Sequence, residues 1–261
     1  MLKELEYILE ILLQEQNHYP HIVPSEISEK LKLMRMLMNI RNPIPVTHQF
    51  LKAQDVVLKE LRKNNNDFSL ENIQHCAIDK RIRLWQGDIT RLQIDAIVNA
   101  ANSQMLGCFH PLHGCIDNAI HSAAGIQLRL ECNELMKLQG FEEPTGCAKI
   151  TKGYNLPAKH VIHTVGPIIH SGKPSVFEEQ QLENCYLSSL QLANQHQLKS
   201  IAFCCISTGE FRFPNQRAAE IAIPIVLNYL NENKTTSIDT VVFNVFKDLD
   251  FEIYNNLLQT I

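Results

Sequence analysis

Six consecutive apolar residues, Ile201-Ala202-Phe203-Cys204-Cys205-Ile206, set the strongest limit on how this chain folds. A strand that is apolar on both sides must be covered on both faces, as in a parallel sheet layered between helices. From about residue 80 onward, short β-branched runs alternate with helical spacing. Strand candidates lie at residues 82–85, 96–99, 160–165, 201–206 and 240–246. Helix candidates lie roughly at 115–124, 126–138, 177–195, 216–230 and 251–258. Strands and helices in alternation predict an α/β domain with a largely parallel sheet.

The first 70 residues have a different texture. Leu2, Leu5, Ile8, Leu9, Leu12 and Leu13 recur at helical spacing, and so do Leu31, Met34, Leu37 and Met38. Ser25 is expected to cap the second helix, and Thr47 a third that carries Phe50, Leu51, Val57, Leu58 and Leu61. The methionines of the second helix suit gap-filling in a core better than a partner surface. Asn64-Asn65-Asn66-Asp67 reads as a turn or linker. The expected organisation is a helical extension over 1–70 and an α/β domain over 71–261.

Charge and cysteine content exclude several roles. The formal charge is −4, with no basic stripe to hold nucleic acid by charge alone. No run approaches the ~18 apolar residues of a membrane span. Glu4, Glu6 and Glu10 interrupt the apolar start, unlike a signal-peptide core. Eight cysteines in such a chain fit a cytoplasmic protein with reduced thiols, where clustered Cys and His more often bind metal than form disulfides.

Four stretches carry candidate chemistry. The densest is Cys108, His110, His113 and Cys115, two thiols and two imidazoles within eight residues. Cys108, His113 and Cys115 alone would leave a zinc ion one open position, whereas adding His110 would close the site as a structural one. Just before it, Asn99 and Asn102 sit where a strand is expected to give way to a loop. Their amides suit ribose hydroxyls, although Asn also favours turns without any ligand. After the apolar strand comes Ser207-Thr208-Gly209-Glu210-Phe211, where free N–H groups ahead of a helix suit phosphate. Asp88, in Gly87-Asp88-Ile89-Thr90, would accept from an exocyclic amine or cap its turn, and Phe246 would stack on a base or pack in the core.

In this order the segments GDIT, IVNAAN, HTVGP at 163–167, STGEFRFP at 207–214 and the terminal VFKDLDFEIY resemble a macrodomain, the fold that binds ADP-ribose. The match covers about residues 80–261. GCFHPLHGCIDN, at 107–118, departs from the glycine-rich stretch of commoner macrodomains. It resembles the zinc-dependent macrodomains found beside bacterial sirtuin-like ADP-ribosyltransferases, which also carry an N-terminal helical extension.

The resemblance implies a three-layer α/β/α sandwich with a mixed, largely parallel sheet. It implies that Asp88 and Ile89 hold adenine with Phe246 beside it. Ser207, Thr208, Gly209, Glu210 and Phe211 would wrap the diphosphate, and Asn99 and Asn102 would line the distal ribose pocket. Cys108, His113 and Cys115 match the zinc (Zn2+) ligands, which sets His110 aside. Asp117 would position water or support the metal. The implied activity is hydrolysis of mono-ADP-ribose from modified protein by a monomer, with a lipoyl-carrier protein similar to the glycine-cleavage H protein as partner. The alternatives are an ADP-ribose reader with structural zinc and an O-acetyl-ADP-ribose deacetylase.

Overall fold

The computed structural model describes residues 1–16 and 23–260. Three helices open the chain: α1 (Leu2–Gln14), α2 (Ile27–Ile40) and α3 (His48–Asn65). Their apolar stripes face one another, and Leu5, Leu9, Leu12, Leu37, Phe50 and Val57 form a small core of their own. The α/β domain contributes a single buried residue to that core, Ile126. Met34 and Met38 are buried within it, as gap-filling requires. Thr47 caps α3 by accepting from the Phe50 N–H. Ser25 does not cap α2: Glu26 holds the N-cap position, and no side chain bonds the first turn.

The remaining strands are β1 (Phe68–Ser69), β2 (His75–Cys76), β3 (Asp79–Gln86), β4 (Leu92–Gln93), β5 (Ala96–Ala101), β6 (Ala148–Lys152), β7 (His160–Val165), β8 (Ser200–Phe203) and β9 (Thr240–Val245). The helices between and after them are α4 (Ile116–Ala124), α5 (Ile126–Gln139), α6 (Val176–Gln195), α7 (Asn215–Glu232) and α8 (Asp248–Thr260). β1 pairs only with β4. The main sheet has the order β2-β3-β9-β8-β5-β7-β6. Its five inner strands run parallel, and β2 and β6 are antiparallel at the two edges. The sheet is therefore mixed and largely parallel.

Neighbouring residues on β7 show why both faces are covered. His163 points to Cys132 on α5, whereas Thr164 reaches Cys185 on α6. Successive side chains of a strand point to opposite faces, so α5 and α6 lie on opposite sides of the sheet. β8 and β9 are buried along their whole length. The apolar run that begins β8 continues past it, but the strand ends at Phe203, and Cys204, Cys205 and Ile206 turn into the following loop. Among the described residues no helix is long and apolar enough to cross a membrane.

Candidate functional site

Because β3, β9, β8, β5 and β7 are parallel, their carboxyl ends share one edge of the sheet, where ligands of α/β folds bind. Read across that edge, the sheet order fixes the order of the loops. Gly87 to Arg91 follows β3, Phe246 follows β9, the loop from Cys204 to Phe213 follows β8, Asn102 follows β5, and Gly166 follows β7. The candidate residues that the sequence scatters over 160 positions thus form one line.

At the first end Asp88 caps a short 3-10 turn, accepting from the Thr90 N–H at 2.9 Å and from its hydroxyl at 2.7 Å. The carboxylate is exposed, while the Ile89 side chain is buried. Ile89 therefore has only its backbone to offer a ligand. Phe246 is 75 % exposed and free to lie against a planar group.

The loop after β8 is held in a tight bend. Ser207 and Arg212 take left-handed backbone angles, and the Phe213 N–H closes the loop on the Ser207 carbonyl. The N–H groups of Gly209, Glu210 and Phe211 have no acceptor among the described residues. A side chain added at Gly209 would meet nothing within 4 Å, so the residue borders open space. Behind the bend, a Cβ at Gly166 would come within 1.9 Å of the Ser207 hydroxyl, so the loop packs on bare backbone. That hydroxyl is buried and unpartnered.

The two asparagines part company. β5 extends to Ala101, two residues further than expected, so Asn99 lies inside the strand. It is fully buried, and its amide donates to Asp117 Oδ1 at 2.8 Å and to His163 Nδ1 at 3.1 Å. It does not line the cleft; it fastens β5 to α4 and β7. Asn102 is placed as expected, at the strand end. Its amide donates to the Gly107 carbonyl, and its Oδ1 is left without a partner. Asp117 also faces inward. It lies 3.5 Å from His121 Nε2, and burial raises its carboxyl to about 6 against the pull of Asn99 and Arg129. This position supports the packing of α4 and presents no carboxylate to a substrate.

Cys108, His113 and Cys115 come together beside Asn102, each partly exposed, with their ligand atoms within 4.8 Å of one another. Cys108 Sγ and His113 Nδ1 are 3.7 Å apart. Two such ligands on a tetrahedral zinc ion would be separated by about 3.5 Å, given bonds near ~2.3 Å to sulfur and ~2.0 Å to nitrogen. The donor set fits. Cys115 is also the N-cap of α4, accepting from the Asn118 N–H at 3.4 Å. Burial first, and then the neighbouring Cys108 and Asp117, push the Cys115 thiol up to about 12. A divalent cation would reverse that preference, because a coordinated thiol is deprotonated. His110 stands outside the group, its ring 5.1 Å from that of His113. His113 Nε2 lies 3.5 Å from the Glu210 carboxylate. The metal-type loop and the phosphate-type loop therefore touch across the cleft.

A second Cys/His group, His121, Cys132 and His163, is buried beneath the first and was not singled out from the sequence. Its members sit on three separate elements. Arg129, Asn118, Asn39 and Arg35, which brace the loop at 106–115, were likewise missed. Only Asn118 carried a local signal, three residues past an N-cap.

These features agree with the comparisons. A family model described as Macro domain matches residues 98–222. A Staphylococcus aureus (strain MSSA476) protein named protein-ADP-ribose hydrolase is 48 % identical over 96 % of this chain and 93 % of its own length. A Trypanosoma brucei macrodomain solved with ADP-ribose is 31 % identical, with a TM-score of 0.65, over 82 % of this chain and 92 % of that one. The Oceanobacillus iheyensis macrodomain solved with ADP is 39 % identical, with a TM-score of 0.61, over 68 % and 90 %. An α/β sheet with its candidate ligand residues strung along the strand ends defines a nucleotide-binding class of fold. Within that class, this chain belongs to the Macro domain family.

Proposed function

We propose that this protein is a zinc-dependent hydrolase that releases mono-ADP-ribose from modified protein side chains. The observation that carries the proposal is the placement of Cys108, His113 and Cys115 at the end of β5, touching the loop after β8 through Glu210. A relative alike over nearly its whole length is named protein-ADP-ribose hydrolase, and a solved relative binds ADP-ribose.

The order of the loops supports the following pose. Adenine lies at Asp88 and the Ile89 backbone, with Phe246 over it. The unpaired N–H groups of Gly209, Glu210 and Phe211 receive the diphosphate, as a concave run of backbone donors suits an anion. Ser207, through its left-handed backbone, and Thr208, which bonds back to the Cys205 carbonyl, shape the bend that presents these groups. The unpartnered Asn102 Oδ1 accepts from a distal-ribose hydroxyl. This brings C1 of that ribose, and the bond to the protein, beside the three ligands. Zinc, when bound there, supplies a Lewis acid with one open position. The partner we propose is a lipoyl-carrier protein similar to the glycine-cleavage H protein, for which the support is resemblance alone.

Incubating the purified protein with mono-ADP-ribosylated carrier protein, with and without a chelator, tests the proposal. Release that stops on chelation and returns with zinc is expected. Binding of ADP-ribose without cleavage of any linkage tried would favour a reader. Turnover of O-acetyl-ADP-ribose alone would favour a deacetylase.

A further inference from the structure

We propose that helix α2 is a working part of the metal site, with Asn39 and Arg35 as positioning residues that hold the loop at 106–115 in the shape its ligands need. The proposal rests on the zinc-binding reading above.

The loop has no regular secondary structure and little bonding of its own. It contains two left-handed residues, Gly107 and Leu112, and Met105 just before it is a third. For a branched residue such as Leu112 that conformation is disfavoured, so something outside the loop must impose it. The Leu112 N–H donates to Asn39 Oδ1 at 3.0 Å, and Asn39 is only 2 % exposed. The Asn39 amide donates in turn to Ser122 on α4, also at 3.0 Å. One side chain therefore ties α2, α4 and the residue just before the ligand His113.

Arg35, one helical turn earlier, grips the neighbouring positions. Its guanidinium donates to Asn118 Oδ1 at 2.9 Å and to the His113 carbonyl at 3.4 Å. Asn118 is fully buried and relays that hold. Its amide donates to the His110 carbonyl, and its backbone N–H donates to Cys115 Sγ. Arg129 closes the arrangement from α5. It donates to the Leu106 carbonyl of the loop and to the carbonyls of Met38, Asn39 and Arg41 at the end of α2, and its charge rests 4.3 Å from the centre of the Phe109 ring. The groups that orient metal ligands commonly matter almost as much as the ligands. Here the outer ones come from the helical extension, and the bond from Arg91 of the adenine-side loop to the Asn66 carbonyl at the end of α3 involves neither Asn39 nor Arg35.

The test uses the full chain carrying Asn39→Leu, Asn39→Asp or Arg35→Met. Zinc affinity is measured by chelator competition, amide exchange at 106–115 in zinc-free protein, and ADP-ribose affinity in zinc-free protein. The visible spectrum of the cobalt-loaded form reports ligand geometry. Asn39→Leu should weaken zinc about tenfold or more and speed exchange in the loop, and Arg35→Met should act in the same direction with a smaller effect. Asn39→Asp keeps the acceptor for Leu112 and should recover most of the affinity. Zinc-free ADP-ribose affinity should stay within about twofold, and the cobalt spectrum of Asn39→Leu should shift. If a thermal melt shows Asn39→Leu unfolded, Arg35→Met decides, because that side chain is only partly buried. Zinc affinity and loop exchange unchanged in the folded variants, with zinc lost in Cys115→Ser, would overturn this inference while leaving the metal reading intact. A native protein that holds zinc no better than Cys115→Ser would overturn both.

Discussion

Among the described residues, two groups of cysteine and histidine each bring three ligand-type side chains together, and they differ in their access to solvent. Cys108, His113 and Cys115 are partly exposed and border the cleft beside Asn102. The ligand atoms of His121, Cys132 and His163 also lie within 4.8 Å of one another, yet these residues are buried. The His163 ring is already engaged, with Nδ1 accepting from Asn99 and Nε2 donating to Thr151 at 2.9 Å. Cys132 is held as a neutral thiol, raised by burial and then by Asp117. The charge of Arg129 acts on the same cluster. Nearness of ligand types therefore does not make a site. What separates the two groups is a path from solvent, which Cys108, His113 and Cys115 have and the buried group lacks.

The largest effect should come from breaking the exposed group. Cys115→Ser should reduce hydrolysis by about 100-fold or more while ADP-ribose binding changes only a few-fold. Most of the proposed contacts lie elsewhere, so the loss belongs to turnover. Paired rate and calorimetry measurements on a variant shown to be folded check this. Retained activity in zinc-free folded protein rules out the metal mechanism.

Gly209→Val tests the other half of the cleft. It should weaken ADP-ribose binding by about tenfold or more, because the new side chain projects into the proposed diphosphate path. The melting temperature should barely move, since a Cβ there meets open space. Unchanged affinity by calorimetry removes the loop from the site.

The buried group should betray itself in acid. Burial lowers His163 to about 3, and burial with His163 and Arg129 holds His121 well below its ordinary value. Below about pH 6.5 the unfolded chain takes up protons that the folded chain refuses, so stability falls as pH falls from there towards 3. Asp117 works the other way. With its carboxyl raised to about 6, the folded state holds a proton more readily than the unfolded one between roughly pH 4 and 6. With two histidines against one carboxyl, stability still falls as pH falls through that interval. Urea unfolding at pH 7, 6 and 5 gives the slope. A folded His163→Gln variant with an unaltered slope would rule the buried histidine out.

The smallest expected change is none. His110→Ala and Cys132→Ser should each retain one zinc per chain by elemental analysis. Loss of zinc in the first would add a fourth ligand, and loss in the second would make the buried group a metal site after all.

The fold was largely legible because its inner strands are apolar along their length and its helices carry stripes at helical spacing. Errors fell where that signal is silent. Cys204 to Ile206 are apolar, and Cys204 and Ile206 are buried, but they belong to a loop, and hydrophobicity cannot tell a buried loop from a strand. β6, with sequence Ala-Lys-Ile-Thr-Lys, is an edge strand with lysines and was not expected. The shift of Asn99 from cleft to interior follows from the two extra residues of β5. The metal-type loop was visible because its ligands are neighbours in sequence. Its braces were invisible because Arg35 and Asn118 are 83 residues apart, and no local pattern links them.

That separation has a consequence in time. The helical extension leaves the ribosome before the α/β domain and can collapse on its own apolar core, because nearly all of that core is local. Asn39 and Arg35 then wait for partners that are made more than seventy residues later. Closing a loop of that length is among the later, entropically slower events of folding. Metal uptake at the proposed site would therefore mark the end of assembly. A protein released with its extension undocked would have a formed sheet and the proposed nucleotide cleft, with an unfinished loop beside it.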